Sequence, residues 1–371
     1  MPPTLPLTLT DEQQHAVDRI VSWAQSRPFG QHLTMGGLAG TGKTTLIRYV
    51  HDELRNLGMA PVVGTPTGKA AHVLQRKGIF ARTLHSMIYE CIGSDSHGQP
   101  IFEFLGLEDG TPILIADEAS MVNARLHADI MRTGVPVLYV GDYGQLPPVG
   151  DDPGIMAAPD IVLREIHRQA QGNPIVQLAH HFREGGTARS FNADGGHVTI
   201  CPRVDYDEAF AHDALLCGRN ATRSAFNRYY LSLRAGIDLD CETLTEGQEF
   251  DAICLRNNRR ARIFNGMCGR MRVLREPSAS DRFPAEFRPD GDDRVIELMV
   301  DGSLIHGRTS EGYQRDLDLF DLAYVLTVHK AQGSEWDRVT VLDEAFGTDA
   351  DKARWRYTAA TRAKECLCWL M

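Results

Sequence analysis

From residue 33 to about 150, short apolar runs alternate with turns and helix-like segments. Residues 62–63, 112–116 (Pro-Ile-Leu-Ile-Ala) and 135–140 (Val-Pro-Val-Leu-Tyr-Val) are each followed by Gly or Asp. Continuous apolar runs of this length predict strands buried on both faces of a parallel sheet, with functional groups at their C-terminal ends. Residues 88–110, rich in Gly, Ser and aromatics, break the alternation and predict a small hairpin insertion. A second α/β region is expected from near Ile155, with a helix around 174–184 and a strand at Ala214-Leu215-Leu216-Cys217. From 246 to 318 the pattern changes to short β-like pieces at 249–255, 271–274 and 295–300. Asn257-Asn258, Asn265-Gly266, Asp290-Gly291-Asp292 and Asp301-Gly302 separate or flank them, which predicts a small inserted β-barrel. The α/β pattern returns at 322–326 and runs to the end.

Bulk properties narrow the class. A chain of 371 residues is too long for one ordinary core and implies two or more domains. Hydrophobic (43%) and charged (24%) fractions are those of a globular protein. No 18-residue apolar stretch predicts a membrane span, and Met1-Pro2-Pro3-Thr4-Leu5-Pro6 lacks the basic and apolar regions of a secretory leader. The eight cysteines (91, 201, 217, 241, 254, 268, 366, 368) form no Cys-x-x-Cys pair, so reduced thiols and a cytoplasmic location are expected. A net charge of −10 argues against binding duplex nucleic acid through a broad basic surface. It leaves open a narrow groove built from amides, hydroxyls, rings and a few cations.

Gly37-Leu38-Ala39-Gly40-Thr41-Gly42-Lys43-Thr44 fits the P-loop pattern in full. It follows an apolar stretch and opens a helix-like segment beginning at Thr45, the context the motif needs. Its glycines let backbone N–H groups converge on phosphate oxygens, and the helix N-terminus adds a favourable dipole. Lys43 is expected to reach the β- and γ-phosphates of ATP, and the Thr44 hydroxyl to ligate Mg²⁺. Residues 113–118 read as a buried strand ending in two acids. Asp117 is the second expected Mg²⁺ ligand, and Glu118 the group that positions or deprotonates the attacking water.

Further segments then fall into a recognisable order. Leu9-Thr10-Asp11-Glu12-Gln13 resembles the adenine-reading Q-motif of superfamily 1 helicases, and Asp117-Glu118-Ala119-Ser120 their motif II. Residues 65–71 (Thr-Pro-Thr-Gly-Lys-Ala-Ala) resemble motif Ia, and Thr83-Leu84-His85-Ser86 motif Ib. Residues 141–149 are similar to motif III, 164–169 to motif IV, 327–335 to motif V and 357–363 to motif VI. The wording leans to the RecD-like and Dda-like branch. With no long region ahead of these motifs in this sequence, the resemblance would be expected to be nearer to the compact Dda-like members.

That resemblance implies an α/β fold with two RecA-like P-loop domains. The expected assignments are 1–87 with 111–153 for the first and 154–245 with 319–371 for the second. The insertion at 88–110 would be a β-hairpin pin, and 246–318 an SH3-like barrel. The implied activity is that of a monomeric, Mg²⁺/ATP-dependent DNA helicase moving 5′→3′ on single strands. Its implied partners are single-stranded DNA, single/double-strand junctions, and single-strand-binding or replisome proteins, in a bacterial or phage-infected cell.

Site roles follow by the same resemblance. ATP would lie between the domains, bound by Gln13, Gly37, Gly40, Thr41, Gly42, Lys43, Thr44 and Thr45, with Glu335 on the nucleotide sugar. Arg168 and Arg362 are the expected fingers, because a guanidinium spreads charge over a transferring phosphoryl group and keeps its proton. Gln145 would sense the γ-phosphate. Thr65, Pro66, Thr67, Thr83, His85, Thr327 and His329 would line the strand groove. Asn220, Arg223 and Asn227 read equally as strand contacts or as a helix cap with a solvated face. The run from Arg256 to Arg262 reads as a solvated turn or as a DNA-touching patch. A protein-remodelling ATPase and an RNA helicase are the alternatives, since such grooves do not distinguish DNA from RNA by sequence.

Overall fold

A computed structural model describes residues 9–26, 28–94, 100–166, 172–192, 196–202, 212–239, 242–258, 260–278, 280–290, 293–308, 310 and 317–371. The chain divides into two compact units. The first is drawn from Met1–Pro66, Ala70–Glu90 and Phe104–Val176; Thr67–Lys69, Cys91–Glu103 and Gln177–Met371 group in the second.

The first unit is built on strands β1 (His32–Gly37), β2 (Val62–Thr65), β3 (Ala81–Thr83), β6 (Leu114–Ala116), β7 (Val137–Gly141) and β8 (Ile161–Leu163). They form one parallel sheet in the order β3-β2-β6-β7-β1-β8. Helix α1 (Asp11–Gln25) packs Ala16, Val17, Ile20 and Ala24 into its core, and α2 (Lys43–Asn56) packs Leu46, Ile47, Val50 and Leu54. Both sets repeat with helical spacing, which gives each helix one apolar face. Helices α3 (Gly68–Arg76), α4 (Leu84–Ile88) and α5 (Ala124–Met131) complete the crossovers. Strands β4 (Tyr89–Ser94) and β5 (Pro100–Phe104) form a separate two-stranded sheet. Residues 95–99, between these two strands, lie outside the described residues.

The second unit carries a parallel sheet of β9 (Val198–Cys201), β10 (Ala214–Cys217), β16 (Val325–Thr327), β17 (Trp336–Leu342) and β18 (Ala363–Leu370), in the order β16-β10-β17-β18-β9. Its helices are α7 (Asn220–Ala235), α8 (Val328–Ala331) and α9 (Asp349–Ala360); α6 (Pro174–Arg183) spans the division between the units. Strands β11 (Glu249–Cys254), β12 (Cys268–Val273), β13 (Arg282–Pro289), β14 (Ile296–Asp301) and β15 (Asp318–Leu322) close into a barrel. Barrel and sheet share one core: Phe250, Phe283, Phe287 and Phe320 pack in the same cluster as Leu215, Tyr230 and Val325.

Two boundaries differ from those read in the sequence. The first sheet does not end at residue 153, because β8 pairs with β1 and Ile155 and Met156 are buried in a core cluster with Tyr139. A turn over Gly154–Ala157, closed by the Ala157 N–H on the Gly154 carbonyl, precedes the return of the chain to the sheet edge. The barrel does not end at 318, because β15 is its closing strand and β16 starts only two residues after it. No Gly or Pro divides residues 319–326, where Asp321 is the one charged residue, so the sequence carries no turn signal at the break.

Candidate active site

The phosphate cradle grows out of β1, whose last five residues are buried. Gly36 and Gly37 have no room for a side chain: a Cβ would stand 2.5 Å from the Pro159 ring in the first case and 2.5 Å from the Thr41 hydroxyl in the second. Gly40 (φ 84°) and Gly42 (φ 81°) take the left-handed turn, which favours glycine and turns backbone N–H groups into the loop. Gly42 is the N-cap of α2, whose first turn carries Lys43 and the half-buried Thr44 and Thr45. Lys43 Nζ donates to the Gly37 and Leu38 carbonyls at 2.7 and 3.0 Å and lies 3.5 Å from Asp142 Oδ2.

Gln13 is buried at 3% exposure and faces this loop. Its Oε1 accepts the Thr10 N–H at 3.2 Å, and its Nε2 donates to the Thr41 carbonyl at 3.1 Å. The side chain therefore ties the capping box of α1 to the P-loop. Neighbouring Glu12 accepts the backbone N–H groups of Arg164 and Glu165 at 2.8–3.0 Å, which fixes the chain leaving β8.

Strands β6 and β7 lie side by side, so Asp117 and Asp142 stand at neighbouring strand ends. Burial pushes the Asp117 carboxyl up, opposed by the Glu118 N–H that it accepts and by Lys43. Glu118 sits in the left-handed region (φ 56°, ψ 39°). A non-glycine residue held there costs on the order of 1 kcal/mol or more and is found at functional sites. Asp142 is 1% exposed and accepts the Gly144 N–H at 2.9 Å. Its role was not read in the sequence, yet the signal is the one that found Asp117: a fully apolar strand ending in an acid. Gln145 is buried with its Oε1 unpartnered, and so is the Ser120 hydroxyl. Orphaned buried polar atoms are costly and mark places where a ligand or water bonds. A glycine cradle, a half-buried lysine, two strand-end acids and these orphans fit a nucleoside triphosphate with a divalent cation.

In the second unit Arg362 is 4% exposed. Its Nε donates to the Thr358 carbonyl at 3.0 Å, Nη1 to the Ser334 carbonyl at 3.1 Å and Nη2 to Thr361 Oγ1 at 3.1 Å. Three of its five N–H donors thus fix the guanidinium against the 334 loop and the end of α9, and two remain. Glu335 is exposed beside it. Arg168 lies outside the described residues.

The expected strand contacts form two matching devices. Thr83 ends β3 and caps α4, accepting the Ser86 N–H at 3.3 Å; Thr327 ends β16 and caps α8, accepting the Lys330 N–H at 3.4 Å. Each is followed two residues later by a histidine at the helix start, exposed His85 and half-buried His329. Burial lowers the His329 pKa, so the ring is neutral near pH 7 and acts by hydrogen bonding or stacking. Thr65 is fully buried at the end of β2, whereas Pro66 and Thr67 are half-buried. Asn220 is exposed at the start of α7, where the Glu344 carboxylate already accepts the Gly218 and Arg219 N–H groups at 2.9 and 3.1 Å. Arg223 and Asn227 are engaged inside the second unit. Arg223 Nη1 donates to Asp321 Oδ2 at 2.5 Å in a mostly buried pair, and Asn227 bonds both backbone groups of Val325 at 2.9 Å.

These features define a P-loop nucleotide-binding unit joined in sequence to a second α/β unit. The AAA-domain profile matches residues 8–202, over half of the chain, and the UvrD-like helicase C-terminal domain matches 322–370. The chain is 31% identical to the ATP-dependent RecD2 DNA helicase of Deinococcus radiodurans, over 96% of this chain and 48% of that protein. To the ATP-dependent DNA helicase dda of Enterobacteria phage T4 it is 28% identical, over 48% of this chain and 43% of that one. Bacteroides Pif1 solved with single-stranded DNA shares the fold at a TM-score of 0.62 and 18% identity, covering 98% of this chain and 92% of that one. The chain belongs to the AAA-domain family. It spans half or less of the length of the curated relatives it matches first.

Proposed function

We propose that this chain is an ATP-driven motor that moves 5′→3′ along single-stranded DNA and opens duplexes. The observation that carries the reading is the first unit's strand-end cluster. Lys43 pairs with Asp142 at a loop whose Gly37 has no room for a side chain, Asp117 and Glu118 follow the strand beside that of Asp142, and Gln145 is buried with an orphaned oxygen. Lys43 and the loop amides hold the β- and γ-phosphates, while Thr44 and Asp117 hold Mg²⁺. The ion supplies positive charge to the phosphate oxygens when bound. Glu118 accepts the proton of the attacking water as its oxygen bonds to the γ-phosphorus and the bond to the ADP oxygen breaks. Gln145 is the sensor, and Arg168 and Arg362 are the cations that stabilise the transferring phosphoryl group. Gln13 serves the site by holding the P-loop carbonyl of Thr41, and Glu335 contacts the sugar.

Thr83, His85, Thr327 and His329, with Pro66 and Thr67, bind the strand at the ends of parallel strands. The β4–β5 sheet is the pin that splits a junction, and the five-stranded barrel is an SH3-like module of the motor. The working form is a monomer acting on single-stranded DNA and its junctions, alongside single-strand-binding proteins. Strand displacement from 5′-tailed, 3′-tailed and RNA-tailed duplexes tests this. Opening of the 5′-DNA-tailed duplex alone is expected. Opening driven from an RNA tail identifies an RNA motor, and ATP hydrolysis with no opening of any substrate identifies a remodelling ATPase.

A further inference from the structure

The two strands of the hairpin leave and re-enter the first unit through Tyr89 and Phe104. At this root the backbone closes on a single carbonyl: the Leu105 and Gly106 N–H groups donate to Ile88 O at 2.9 and 3.2 Å. Both flanking rings are then held by one turn of α5. The Tyr89 hydroxyl donates to Asp129 Oδ2 at 2.5 Å, and Arg132 Nη1 donates to Asp129 Oδ1 at 2.9 Å. The Arg132 guanidinium lies 4.4 Å from the centre of the Phe104 ring, and the Tyr89 and Phe104 rings meet edge to face at 6.1 Å. A carboxylate that accepts a phenol and a guanidinium makes charge-assisted bonds, stronger than neutral ones. The Tyr89 bond comes first in holding the Asp129 carboxyl below its usual range, while burial and that same carboxylate push the Tyr89 hydroxyl up to about 12.

The elements on either side of the root carry proposed functional groups. Helix α4, which runs straight into Tyr89, bears His85, and the two rings lie 5.6 Å apart. Helix α5 begins at the Asn123 cap, just beyond Glu118 and the short helical turn Ala119–Met121. One helix therefore links the acid pair of the ATP site to both roots of the hairpin, and a strand-contact residue abuts the same tyrosine.

We infer that Tyr89, Asp129, Arg132 and Phe104 form a clamp that holds the hairpin in a fixed attitude on the motor, so that they are positioning residues for strand separation. A wedge that yields under load cannot convert translocation into base-pair opening. Rigid support within a fraction of an ångström is what such a site requires. The inference rests on the reading of β4–β5 as the separating element, and the test keeps the two apart.

Duplex opening on a 5′-tailed fork and single-strand-stimulated ATPase are measured side by side. The variants are a tip replacement (residues 93–100 by a short Gly-Ser turn), Tyr89→Phe, Asp129→Asn, Phe104→Leu and Phe104→Tyr. The tip replacement is expected to abolish opening and spare hydrolysis. Tyr89→Phe, Asp129→Asn and Phe104→Leu should each slow opening by at least ~10-fold with hydrolysis within about 2-fold, a scale set by the known cost of small misplacements. Phe104→Tyr, which keeps a ring face for Arg132, should restore opening. If the root variants open duplexes at the parental rate while the tip replacement does not, the clamp is overturned and the hairpin reading stands. If the tip replacement itself opens duplexes normally, both are overturned. Equal loss of opening and hydrolysis in the root variants overturns the clamp in favour of a general folding role.

Discussion

Lys43 and Glu118 carry distinct parts of the proposed chemistry, and their surroundings predict distinct failures. Lys43 Nζ is gathered between two loop carbonyls and Asp142, so it is already at the phosphate loop. Lys43→Ala should weaken nucleotide binding and lower DNA-stimulated hydrolysis by at least ~10²-fold, the usual cost of removing such an electrostatic group. Glu118→Gln should lower hydrolysis on the same scale of about 10²-fold while leaving nucleotide binding largely intact, because only the proton acceptor is lost. Separate titrations of a fluorescent nucleotide and steady-state turnover check both, and near-normal turnover in Glu118→Gln contradicts its role as base. Arg223 gives the opposite kind of prediction. Its partner Asp321 has a side chain only 10% exposed, so Arg223→Met leaves a nearly buried carboxylate unpaired. Thermal unfolding should show a loss of about 3 kcal/mol, with single-strand affinity unchanged. Lost affinity at parental stability would return Arg223 to the strand groove.

At the scale of elements, legibility followed how strongly local chemistry fixes position. The P-loop could be read because Gly37, Gly40 and Gly42 answer steric and left-handed demands that few other residues meet. The strand end at Asp117 could be read because a buried parallel strand is uniformly apolar and stops abruptly at an acid, whereas Thr83, behind the short strand Ala81-Arg82-Thr83, and Thr327 were marked only by motif resemblance. Asn227 and Arg223 could not be assigned, since a polar residue early in a helix looks the same whether it meets DNA or a neighbouring strand. Strand β8 was missed because a three-residue strand carries no periodicity, and β15 because no turn residue separates it from β16. The shared core of barrel and second sheet was invisible for a different reason: it depends on contacts far apart in sequence. It has a testable consequence. Phe320→Ala removes a fully buried ring from that common cluster and should cost about 3–5 kcal/mol. A single cooperative transition shifted for the whole second unit is expected in calorimetry; separate melting of the barrel contradicts a common core.

The whole molecule is acidic, with a net charge of −10, and the proposed strand site relies on threonines and neutral histidines more than on cations. Few counterions should then be released on binding. With a slope of roughly −0.7 per neutralised phosphate for single strands, fluorescence titrations over a range of salt should give a shallow dependence. A slope equivalent to about eight contacts would reveal a basic surface. Stability should also depend on pH in a stated direction. Burial lowers the pKa of His127, His306 and His329 from 6.5, so the unfolded chain takes up these protons before the folded one. The folded state incurs no penalty above that value and loses stability as pH falls below it, until the folded pKa values are passed. Melting temperatures recorded from neutral to acid pH should fall in that window, less steeply in His306→Gln. Directed movement along a single strand is the central proposed property, and protein displacement from oligonucleotide ends measures it without a duplex. Streptavidin is loaded on biotin at either the 3′ or the 5′ end, and ATP is added with parent protein or Glu118→Gln. Rapid release from the 3′ end by the parent alone, with the 5′ block left in place, is the predicted result. Release from the 5′ end, or hydrolysis with release from neither, contradicts a 5′→3′ motor.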